Sequence, residues 1–405
     1  MENFSDVIVV GAGPSGSFSA LNIAKHGYKV TVFEEHTEIG VPTHCTGHIS
    51  INGLKRLGLY PLPNKIVENT YSGATFYSPR GNRFSVHFSQ PVTCLINRVL
   101  FDKYIAELAR KYGVQYCLNS HVKSILIKDN FVKGVKSDSR TNAEQNFLAN
   151  LTIDAEGISS KLLASAGLLR PKSRMFVNGA HAEVENVDYV MQDSVEVFLG
   201  ENYAPGFFAW IAPKKDNRAK VGLAVSKGNP REYLRKFMLR HPVASKRLRN
   251  AKILSSSFHP IVISGPISKT YTNGFLAVGD SAGHVKPTTG GGIVFGMTCA
   301  KVAADVTIEA LRRNDFSADF LSNYQKRCRK VFGFDVNAMI RLRKMFNKMS
   351  DDEIDRLIRL CARLDLDRTT LKFEDVDRQG RLFLALLSSP KMMFAILYFL
   401  LTANA

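Results

Sequence analysis

The sequence lacks several features that would assign it to other protein classes. Its six cysteines include no C-x-x-C spacing, which argues against structural zinc, iron–sulfur clusters and a disulfide framework, and favours a reducing compartment. No signal peptide precedes the first apolar strand. As a helix, the longest apolar run, Met392 to Leu401, covers only about half of a ~30 Å bilayer core. A cytoplasmic chain with no metal site and no spanning helix is therefore expected.

Acidic residues are few relative to basic ones: 36 Asp and Glu stand against 54 Lys and Arg, which gives a formal net charge of +18. The resulting positive field attracts polyanions and anionic lipid. No basic run is interleaved with aromatic residues, and no nucleic-acid-binding module is recognisable. An anionic membrane surface is therefore the expected partner, and nucleic acid is not. With 405 residues, 45% of them apolar, the chain can form about two to three domains.

The opening segment contains a nucleotide-binding pattern. An apolar strand leads directly into Gly11-Ala-Gly-Pro-Ser-Gly16 and a helical stretch, and a second strand ends in Glu34, 23 residues after Gly11. Gly11 permits the tight turn, Gly13 lets the backbone approach a pyrophosphate, and Gly16 lets helix and strand pack closely. The helix N-terminus attracts the phosphates. Glu34 is expected to accept hydrogen bonds from the ribose hydroxyls.

A second, distant motif decides which dinucleotide is bound. The segment Asn273 to Asp280 is a buried strand that ends in an acid, and the loop after it ends in Gly290-Gly291-Gly292 before a helix that starts at Ile293. An acid at this place can bind a polyol chain. Glycine N–H groups at a helix start can face the N1/O2 edge of a flavin and stabilise its reduced form. A nicotinamide cofactor needs neither feature, so FAD is predicted.

These motifs, in this order, resemble those of the flavoprotein group that contains p-hydroxybenzoate hydroxylase and the geranylgeranyl reductases. The geranylgeranyl reductase branch is the more similar. Its cysteine-containing loop resembles His44-Cys-Thr-Gly47, its arginine before an F-D pair resembles Arg98, and its P-x-x-[YF]-x-W-x-x-P segment resembles Pro205 to Pro213. The resemblance runs from about residue 5 to 312; beyond that point the chain matches only in being helical.

The resemblance implies a set of site residues. Cys45 is a candidate for a redox or proton-transfer role, with simple packing against the flavin as the alternative. Phe208 and Trp210 are candidate substrate contacts that form an apolar wall, with a plain core role as the alternative. The implied FAD contacts, taken together with the two glycine motifs, are Gly11, Gly13, Ser15, Gly16, Glu34, Cys45, Thr46, His48, Arg98, Val122, Asp280, Gly291, Gly292 and Ile293.

The predicted fold class is α/β, or α+β overall: a Rossmann-like FAD-binding domain, an antiparallel-sheet substrate domain and a C-terminal helical region. The FAD-binding domain is expected to be discontinuous, over residues 1–70, 93–172 and 256–312. The substrate domain is expected over residues 71–92 and 173–255, where short alternating strands occur.

The basic helical region is expected over residues 313–405. Its apolar residues include a stripe at helical spacing, formed by Met339, Leu342, Met345, Phe346 and Met349. Such a stripe is typical of a core helix. It is also found on basic helices that lie on anionic bilayers, so the region is expected to face a membrane.

The resemblance implies a reductase of isolated C=C bonds in prenyl chains of membrane lipid precursors. Reduced FAD is expected to deliver hydride from N5 to one alkene carbon, while a protein acid protonates the other in a dry cavity. No second fingerprint follows Glu34, so electrons are expected from transiently bound NAD(P)H or from a carrier protein such as a ferredoxin. Two alternatives stay open: an FAD-dependent monooxygenase, and a non-enzymatic prenyl-binding escort.

Overall fold

The structure, a computed structural model, describes residues 4–138, 144–171, 176–188, 190–364, 375–386 and 389–402. The chain divides into two compact units, each assembled from three separate stretches. Unit 1 consists of residues 1–43, 98–175 and 262–334, and unit 2 consists of residues 44–97, 176–261 and 335–405.

The strands, in chain order, are β1 (Phe4–Val10), β2 (Val30–Phe33), β3 (His48–Ser50), β4 (Val67–Tyr71), β5 (Gly73–Tyr77), β6 (Arg83–His87), β7 (Thr93–Ile96), β8 (Gln115–Cys117), β9 (Val122–Lys128), β10 (Phe131–Asp138), β11 (Glu144–Asp154), β12 (Phe176–Glu185), β13 (Ser194–Leu199), β14 (Phe208–Pro213), β15 (Ala219–Val225), β16 (Lys252–Val262), β17 (Tyr271–Thr272) and β18 (Phe275–Ala277).

The helices are α1 (Pro14–Ala24), α2 (Ile51–Arg56), α3 (Arg98–Arg110), α4 (Lys161–Ser165), α5 (Pro230–Arg240), α6 (Ala244–Arg247), α7 (Ile293–Arg313), α8 (Ala318–Phe346), α9 (Asp351–Arg363), α10 (Gln379–Leu386) and α11 (Pro390–Thr402). A short 3-10 turn, Gly279–Ala282, follows β18.

Unit 1 is organised around a mainly parallel sheet. Its strand order is β17-β18-β11-β1-β2-β8, with β10 paired to β11 and β9 paired to β10. The apolar run of β1 is buried from Val7 to Val10, as expected of a central parallel strand that is covered on both faces. Val10 is in register with Phe33 of β2 and with Asp154 of β11. Asp154 is in turn in register with Ala277 of β18, so these four parallel strands end at one edge of the sheet.

Helix α1 packs against both α3 and α7. The Ser19 hydroxyl of α1 donates to the carbonyl of Ala300 in α7, at 3.4 Å. A Cβ atom placed on Gly296 of α7 would lie 2.6 Å from the Oγ of Ser15. Glycine at this position therefore lets the first turn of α7 approach the first turn of α1.

Unit 2 contains two sheets, with strand orders β16-β12-β15-β14-β13-β5-β6 and β3-β7-β4. In the larger sheet β5 and β13 are parallel, whereas β12 with β15, β15 with β14, β14 with β13, and β5 with β6 are antiparallel. Alternate side chains of β14, Ala209 and Ile211, are buried in one core with Leu223 of β15 and Phe237 of α5. Because successive side chains of a strand point to opposite faces, Phe208 and Trp210 lie on the other face.

The C-terminal helices belong to unit 2 and form no third unit. Side chains of α9 and α11, among them Ile358 and Phe399, share an apolar cluster with Phe84 of β6. The Ser78 hydroxyl and the Asn82 amide, in the turn between β5 and β6, donate to the carboxylate of Asp355 in α9. These contacts attach α9 to the hairpin of β5 and β6.

The division of the chain thus differs from the predicted one in two respects. Residues 44–70, 93–97 and 256–261, expected in the FAD-binding domain, join unit 2, where β3, β4 and β7 form one sheet and β16 pairs with β12 in the other. Residues 313–405, expected as a separate region, are shared, so that 313–334 fall in unit 1 and 335–405 in unit 2. Both differences come from pairings between residues that are distant in sequence.

Most of the predicted stripe on α8 is core. Met339 and Met349 are buried, and Leu342 and Met345 pack against the apolar cluster of α9 and α11. Phe346 is partly exposed and its ring lies 4.6 Å from that of Phe399. Most of the stripe is therefore used within the protein.

Arg343 does not belong to the exposed basic surface that the sequence suggests for α8. Its guanidinium donates to the carbonyl of Gly206 at 2.6 Å and lies 4.9 Å from the ring centre of Phe207. Burial lowers the pKa of Arg343 to about 10. Its neighbours Arg341 and Lys344 are exposed.

Across the described residues, no single helix is long and apolar enough to cross a membrane. Helices α10 and α11 meet the length and composition criteria only together, as a pair bent by 115°.

Candidate functional site

The predicted nucleotide-binding residues of unit 1 follow the carboxyl ends of the parallel strands. Gly11 follows β1, Glu34 follows β2, and Asp280 lies three residues beyond β18. Because these strands end at one edge of the sheet, the three positions lie at that edge. This is where ligands bind in doubly wound α/β folds.

The glycine turn after β1 has the geometry that the sequence predicts. Gly11 has a φ of +100°, and a Cβ atom there would lie 2.3 Å from the carbonyl oxygen of Ala155. A Cβ atom on Gly16 would lie 2.0 Å from the carbonyl oxygen of Gly11. On Gly13, in contrast, a Cβ atom would meet no described atom within 4 Å. Gly11 and Gly16 are thus required by the fold, whereas Gly13 leaves an open space in front of the N-terminus of α1.

The carboxylate of Glu34 is held in a fixed position. One oxygen accepts from the backbone N–H of Ala12 at 2.8 Å, and the other accepts from the N–H of His36 at 3.0 Å. The Nδ1 atom of His36 lies 2.6 Å from the same second oxygen. Glu34 therefore connects the glycine turn to the end of β2, and the oxygen that accepts from Ala12 keeps a second lone pair for a hydroxyl donor.

Asp280 occupies the 3-10 turn after β18 and contacts the predicted glycine loop. A Cβ atom on Gly292 would lie 3.0 Å from Oδ1 of Asp280, so glycine lets the loop pass close to this carboxylate. Gly291 and Gly292 are half-buried, and Ile293 begins α7 directly after them. The first N–H groups of α7 have no partner within the helix, and they lie beside the acid that the sequence singles out.

Arg98 stands at the start of α3 and links the acids of unit 1. Its Nε and Nη2 atoms donate to the two carboxylate oxygens of Asp102 at 3.2 and 3.0 Å. Burial raises the pKa of Asp102, and Arg98 partly opposes this rise, while the charge of Glu34 adds to it. Burial also raises the pKa of Asp280, and Arg98 again opposes the rise. The guanidinium is thus within electrostatic range of both carboxylates.

Val122, the remaining predicted contact in unit 1, is buried at the start of β9 and packs in the same cluster as Val10 and Phe33. Its side chain therefore adjoins the strands from which the glycine turn and Glu34 emerge. Ser15 lies in the first turn of α1 with its Oγ atom near Gly279 and Gly296.

Sequence reasoning gave little weight to Asp154, which ends β11 between β1 and β18. Its carbonyl accepts from Val278 N–H at 2.8 Å, and its Oδ1 atom accepts from Glu156 N–H at 2.9 Å. The side chain is buried, and Oδ2 has no hydrogen-bond partner among the described residues. Burial, and then the negative charge of Glu156, raise the pKa of Asp154 far above its usual range. The strand, acid and glycine turn of residues 152–157 was the available signal.

The edge of unit 1 fits a dinucleotide that carries a second, polyol-linked ring. The open space at Gly13 and the N-terminus of α1 suit a pyrophosphate. Glu34 suits a ribose at one end, and Asp280 with the start of α7 suits the polyol and ring at the other. The predicted site residues of unit 1 are therefore brought together by the fold.

The other predicted contacts, Cys45, Thr46 and His48, lie in unit 2. The Sγ atom of Cys45 accepts from the N–H of Gly47 at 3.4 Å. His48 begins β3, where its Nε2 atom lies 2.8 Å from the Oγ1 atom of Thr93. The carbonyl of Thr46 accepts from the Nζ atom of Lys220 in β15, at 3.0 Å. The loop is thus attached to the larger sheet of unit 2.

The face of this sheet opposite the α5 core carries the predicted substrate contacts. Phe208 and Trp210 are half-buried on β14, and their ring centres are 5.8 Å apart. Trp210 is in register with Gly222 of β15, and Gly222 with His181 of β12. A Cβ atom on Gly222 would lie 2.4 Å from Cζ2 of Trp210. The indole therefore lies over a glycine in the sheet, and Phe208 and Trp210 stay predicted substrate contacts.

The loop and the aromatic pair meet on the same face of unit 2. Lys220, which holds Thr46, is two residues before Gly222 on β15 and so points to the face of Trp210. His44, next to Cys45, stacks on His259 of β16 with ring centres 4.7 Å apart. Residues from four parts of the sequence thus form one surface, which no local motif indicates.

Burial and neighbouring charges shift the pKa values of ionisable groups in this part of unit 2. Burial, and then the positive charge of Lys220, lower the pKa of His181 to about 4. Burial, with the charge of His44, lowers the pKa of His259 to about 4. The carboxylate of Glu68 accepts from Lys214 and Lys220 at 3.0 and 2.6 Å. Burial raises the pKa of Glu68, but these two lysines outweigh burial and the net shift is downward.

The sequence matches the FAD binding domain family over residues 5–333. The chain belongs to this family. The predicted cofactor, FAD, is thereby confirmed. The matched range covers the glycine turn of β1, Asp280 and the start of α7, which together form the edge of unit 1 described above.

Relatives within the family match nearly the whole chain. The chain is 34% identical to the digeranylgeranylglycerophospholipid reductase of Methanocaldococcus jannaschii, over 87% of this chain and 89% of the relative. It is 33% identical to digeranylgeranylglycerophospholipid reductase 2 of Methanopyrus kandleri, over 92% and 93%. A crystal structure of a geranylgeranyl bacteriochlorophyll reductase-like protein from Thermoplasma acidophilum has a TM-score of 0.87 at 26% identity, over 98% and 99%. The predicted fold class and the resemblance to the geranylgeranyl reductases are confirmed.

Proposed function

We propose that the protein is an FAD-dependent reductase that saturates the C=C bonds of geranylgeranyl chains in membrane lipid precursors. One observation carries the proposal: the chain is 34% identical, over 87% of its length, to a digeranylgeranylglycerophospholipid reductase. The two surfaces described above support it. Unit 1 offers a complete dinucleotide edge, and unit 2 offers an apolar aromatic surface beside a free cysteine.

FAD, when bound and reduced, supplies a hydride equivalent at its N5 atom. Gly13 and the N-terminus of α1 would hold its pyrophosphate, and Glu34 its ribose. Asp280 would hold the ribityl chain, and the N–H groups at Gly292 and Ile293 would face the flavin ring. Cys45, Thr46 and His48 stay predicted contacts of the flavin.

The aromatic surface of unit 2 suits a long hydrocarbon chain. Phe207, Phe208 and Trp210 present a continuous run of rings, with centres 4.4 and 5.8 Å apart. These rings bind alkene and methyl groups without hydrogen bonds and exclude water from the reacting bond.

Saturation of a C=C bond requires a proton at one carbon in addition to hydride at the other. We propose Cys45 as the source of this proton. Its thiol is half-buried in a loop that Lys220 and the stacked His44 attach to the aromatic face. The thiolate left behind would regain its proton from water.

The proposal is tested by anaerobic incubation of dithionite-reduced protein with a digeranylgeranylglycerophospholipid, followed by lipid mass spectrometry. The lipid should gain two mass units for each reduced bond in H2O and about four in D2O, because dithionite supplies only electrons and both added hydrogens then come from solvent. Cys45→Ser should lower the rate strongly while FAD remains bound. Cys328→Ser in α8 is the matched control and should leave the rate unchanged.

Two results would overturn the proposal. Incorporation of an oxygen atom from O2 into the lipid would identify a monooxygenase. A purified protein that binds the lipid and stays colourless with added FAD would identify a prenyl-binding escort.

The proposal also requires access to lipid. We propose that the protein docks reversibly on anionic membranes, in keeping with its net charge of +18. It should sediment with vesicles that contain anionic lipid, and high salt should weaken this binding. Arg341 and Lys344 remain candidates for contact with lipid head groups, whereas Arg343 is engaged within unit 2.

A further inference from the structure

The last helix of the described chain has two apolar faces, of which one is buried and the other is exposed. On one side of α11, Met392, Ala395 and Phe399 are buried in the cluster formed with α9. On the other side, Met393, Phe394, Leu397 and Leu401 are between 51 and 66% exposed. We call these four residues the outer face of α11. At a spacing of one, four and eight residues they occupy one side of the helix.

The outer face stands apart from other exposed apolar residues of the described chain. Elsewhere such residues are mostly isolated or in pairs, as in Leu169 or Leu239, and isolated ones are normal on a protein surface. Here four large side chains follow one another, and Leu384 of α10, also more than half exposed, precedes them by a few residues. A patch of this kind marks an interaction surface.

The charges around the outer face are basic. From residue 378 to the end, the sequence contains Arg378, Arg381 and Lys391 and no acidic residue. The end of α8 contacts the buried side of α11 through Phe346 and Phe399. It adds Arg341, Lys344 and Lys348, all exposed.

The acidic residues nearest in sequence are paired or engaged elsewhere. Asp375 pairs with both Arg378 and Arg56, so Arg378 is neutralised. Asp351 accepts from the backbone N–H groups of Glu201 and Asn202. Asp352 pairs with Arg80, and Asp355 accepts from Ser78 and Asn82 in the hairpin turn. These acids thus do not neutralise Lys391 or the exposed basic residues at the end of α8.

We propose that the outer face of α11 inserts into the interface of an anionic lipid bilayer, with the basic residues of α8 and α11 at the head groups. This proposal rests on the proposed function, because it names the surface by which the enzyme reaches its lipid. Thirteen residues make a helix of about 20 Å, too short for a ~30 Å core, so the helix lies in the plane of the membrane. Basic residues beside an apolar face are the combination that binds helices to anionic membranes.

We therefore place the membrane-binding surface on α11, whereas the sequence suggests α8. Most of the apolar stripe of α8 is used as core, and the nearby Arg343 is half-buried and bonded to Gly206. Exposed apolar surface remains on α11 instead. The helix, and not charge alone, should therefore decide membrane binding.

The test compares the full-length Phe394→Gln/Leu397→Gln protein with a control, Leu239→Gln/Ile253→Gln, whose residues are equally exposed in unit 2. Vesicles are phosphatidylcholine alone or with phosphatidylglycerol. Burial of one such side chain in lipid is worth about tenfold in affinity. The α11 variant should therefore bind mixed vesicles at least about tenfold more weakly, while the control binds like the wild type.

A depth measurement gives an independent readout. Phe394→Trp should show quenching of its added fluorescence by lipids brominated in the upper acyl chain, whereas Leu239→Trp should not. Arg341→Ala/Lys344→Ala/Lys348→Ala should weaken binding to mixed vesicles and flatten its salt dependence.

Three outcomes would overturn the inference. One is equal binding of the α11 variant and the control. Another is wild-type protein that binds neither vesicle. The third is a dimer in solution that the α11 substitutions dissociate, since a second copy would then cover the face.

Failure of the inference can be distinguished from failure of the proposed function. With a detergent-solubilised geranylgeranyl substrate, the α11 variant should turn over at the wild-type rate. Wild-type protein that binds vesicles through α11 but reduces no prenyl chain would leave the surface standing and remove the function.

Discussion

Unit 1 and unit 2 assemble their candidate sites in opposite ways. In unit 1 Gly11, Glu34 and Asp280 each follow a parallel strand within a few positions. Backbone atoms do much of the positioning, as Ala12 does for Glu34. In unit 2 the site is a sheet face on which Trp210, His181 and Lys220 come from three different strands. A site formed by residues just after strands can be recognised from local sequence. A site on the face of a sheet can be recognised only when the pairing register of its strands is known.

The largest effect that tests this contrast is expected at Gly13. Gly13→Val should fold normally and lose FAD, because a Cβ atom there meets no described atom within 4 Å and the side chain fills the space proposed for the pyrophosphate. Circular dichroism and the flavin absorbance of the purified protein measure the two properties.

The matched control for Gly13 is Gly16→Val. Its Cβ atom would lie 2.0 Å from the carbonyl oxygen of Gly11, so this variant should lose structure as well as flavin. Retention of FAD by Gly13→Val would remove the glycine turn from the cofactor site.

A smaller effect is expected at Asp280. Asp280→Ala should preserve the fold and weaken FAD binding by roughly tenfold or more, since a charged hydrogen-bond partner contributes about 1.5 to 3 kcal/mol. Titration of the apoprotein with FAD gives the dissociation constant. Asp102→Ala, which removes the partner of Arg98 and not a proposed ligand, should weaken binding less. An unchanged FAD affinity of Asp280→Ala would take this residue out of the site.

In unit 2 a comparable effect is expected from one methyl group. Gly222→Ala would place a Cβ atom 2.4 Å from Trp210 and 2.8 Å from the Cβ atom of His181. Such overpacking costs about 1–3 kcal/mol. The variant should keep FAD, shift the emission of the only tryptophan and lose activity towards lipid.

A second substitution should rescue the stability of the Gly222→Ala protein. Trp210→Leu in the same chain removes the ring that the methyl group would strike, so unfolding by urea should return towards the wild-type midpoint. Loss of flavin from Gly222→Ala would contradict the assignment of Trp210 to the lipid surface.

The smallest effect concerns His241 and is expected in the stability of the protein at acidic pH. Burial lowers the pKa of His241 in unit 2 to about 4 from an ordinary value of 6.5. The unfolded chain then binds more protons than the folded chain between these values, so this contribution to stability is complete above pH 6.5 and is lost as the pH falls towards 4. His241→Asn can still accept from Val243 and Ala244, as the imidazole does. Its melting temperature should fall less steeply on acidification, and an equal slope would show that His241 does not titrate in this way.

Local signals predicted most of unit 1. The strand before Gly11, the acid at Glu34 and the helix start at Ile293 are all where the sequence indicates, because short-range spacing determines them. Asp154 was not predicted as a site residue, since nothing in the local sequence reveals that its carboxylate is buried at the end of a strand between two parallel strands.

Unit 2 was predicted less completely. Its alternating strands were recognisable, but the pairing of β4 with β7 and the packing of α9 on β6 join residues far apart in sequence. The stacking of His44 on His259 and the position of Gly222 beneath Trp210 depend on the same long-range register. For α8, periodicity could identify an apolar stripe but not what covers it.

The discontinuity of both units has a consequence for biosynthesis. The chain passes between the units five times, so no single cut yields either of them as an independent fragment. Strand β1 finds β2 early, but its other neighbour, β11, ends at Asp154, and the next strand, β18, ends at Ala277. At about 5–20 residues per second, translation leaves the apolar edge of β1 without its partners for many seconds. During that interval the nascent chain should depend on chaperones more than a protein of the same size with contiguous domains.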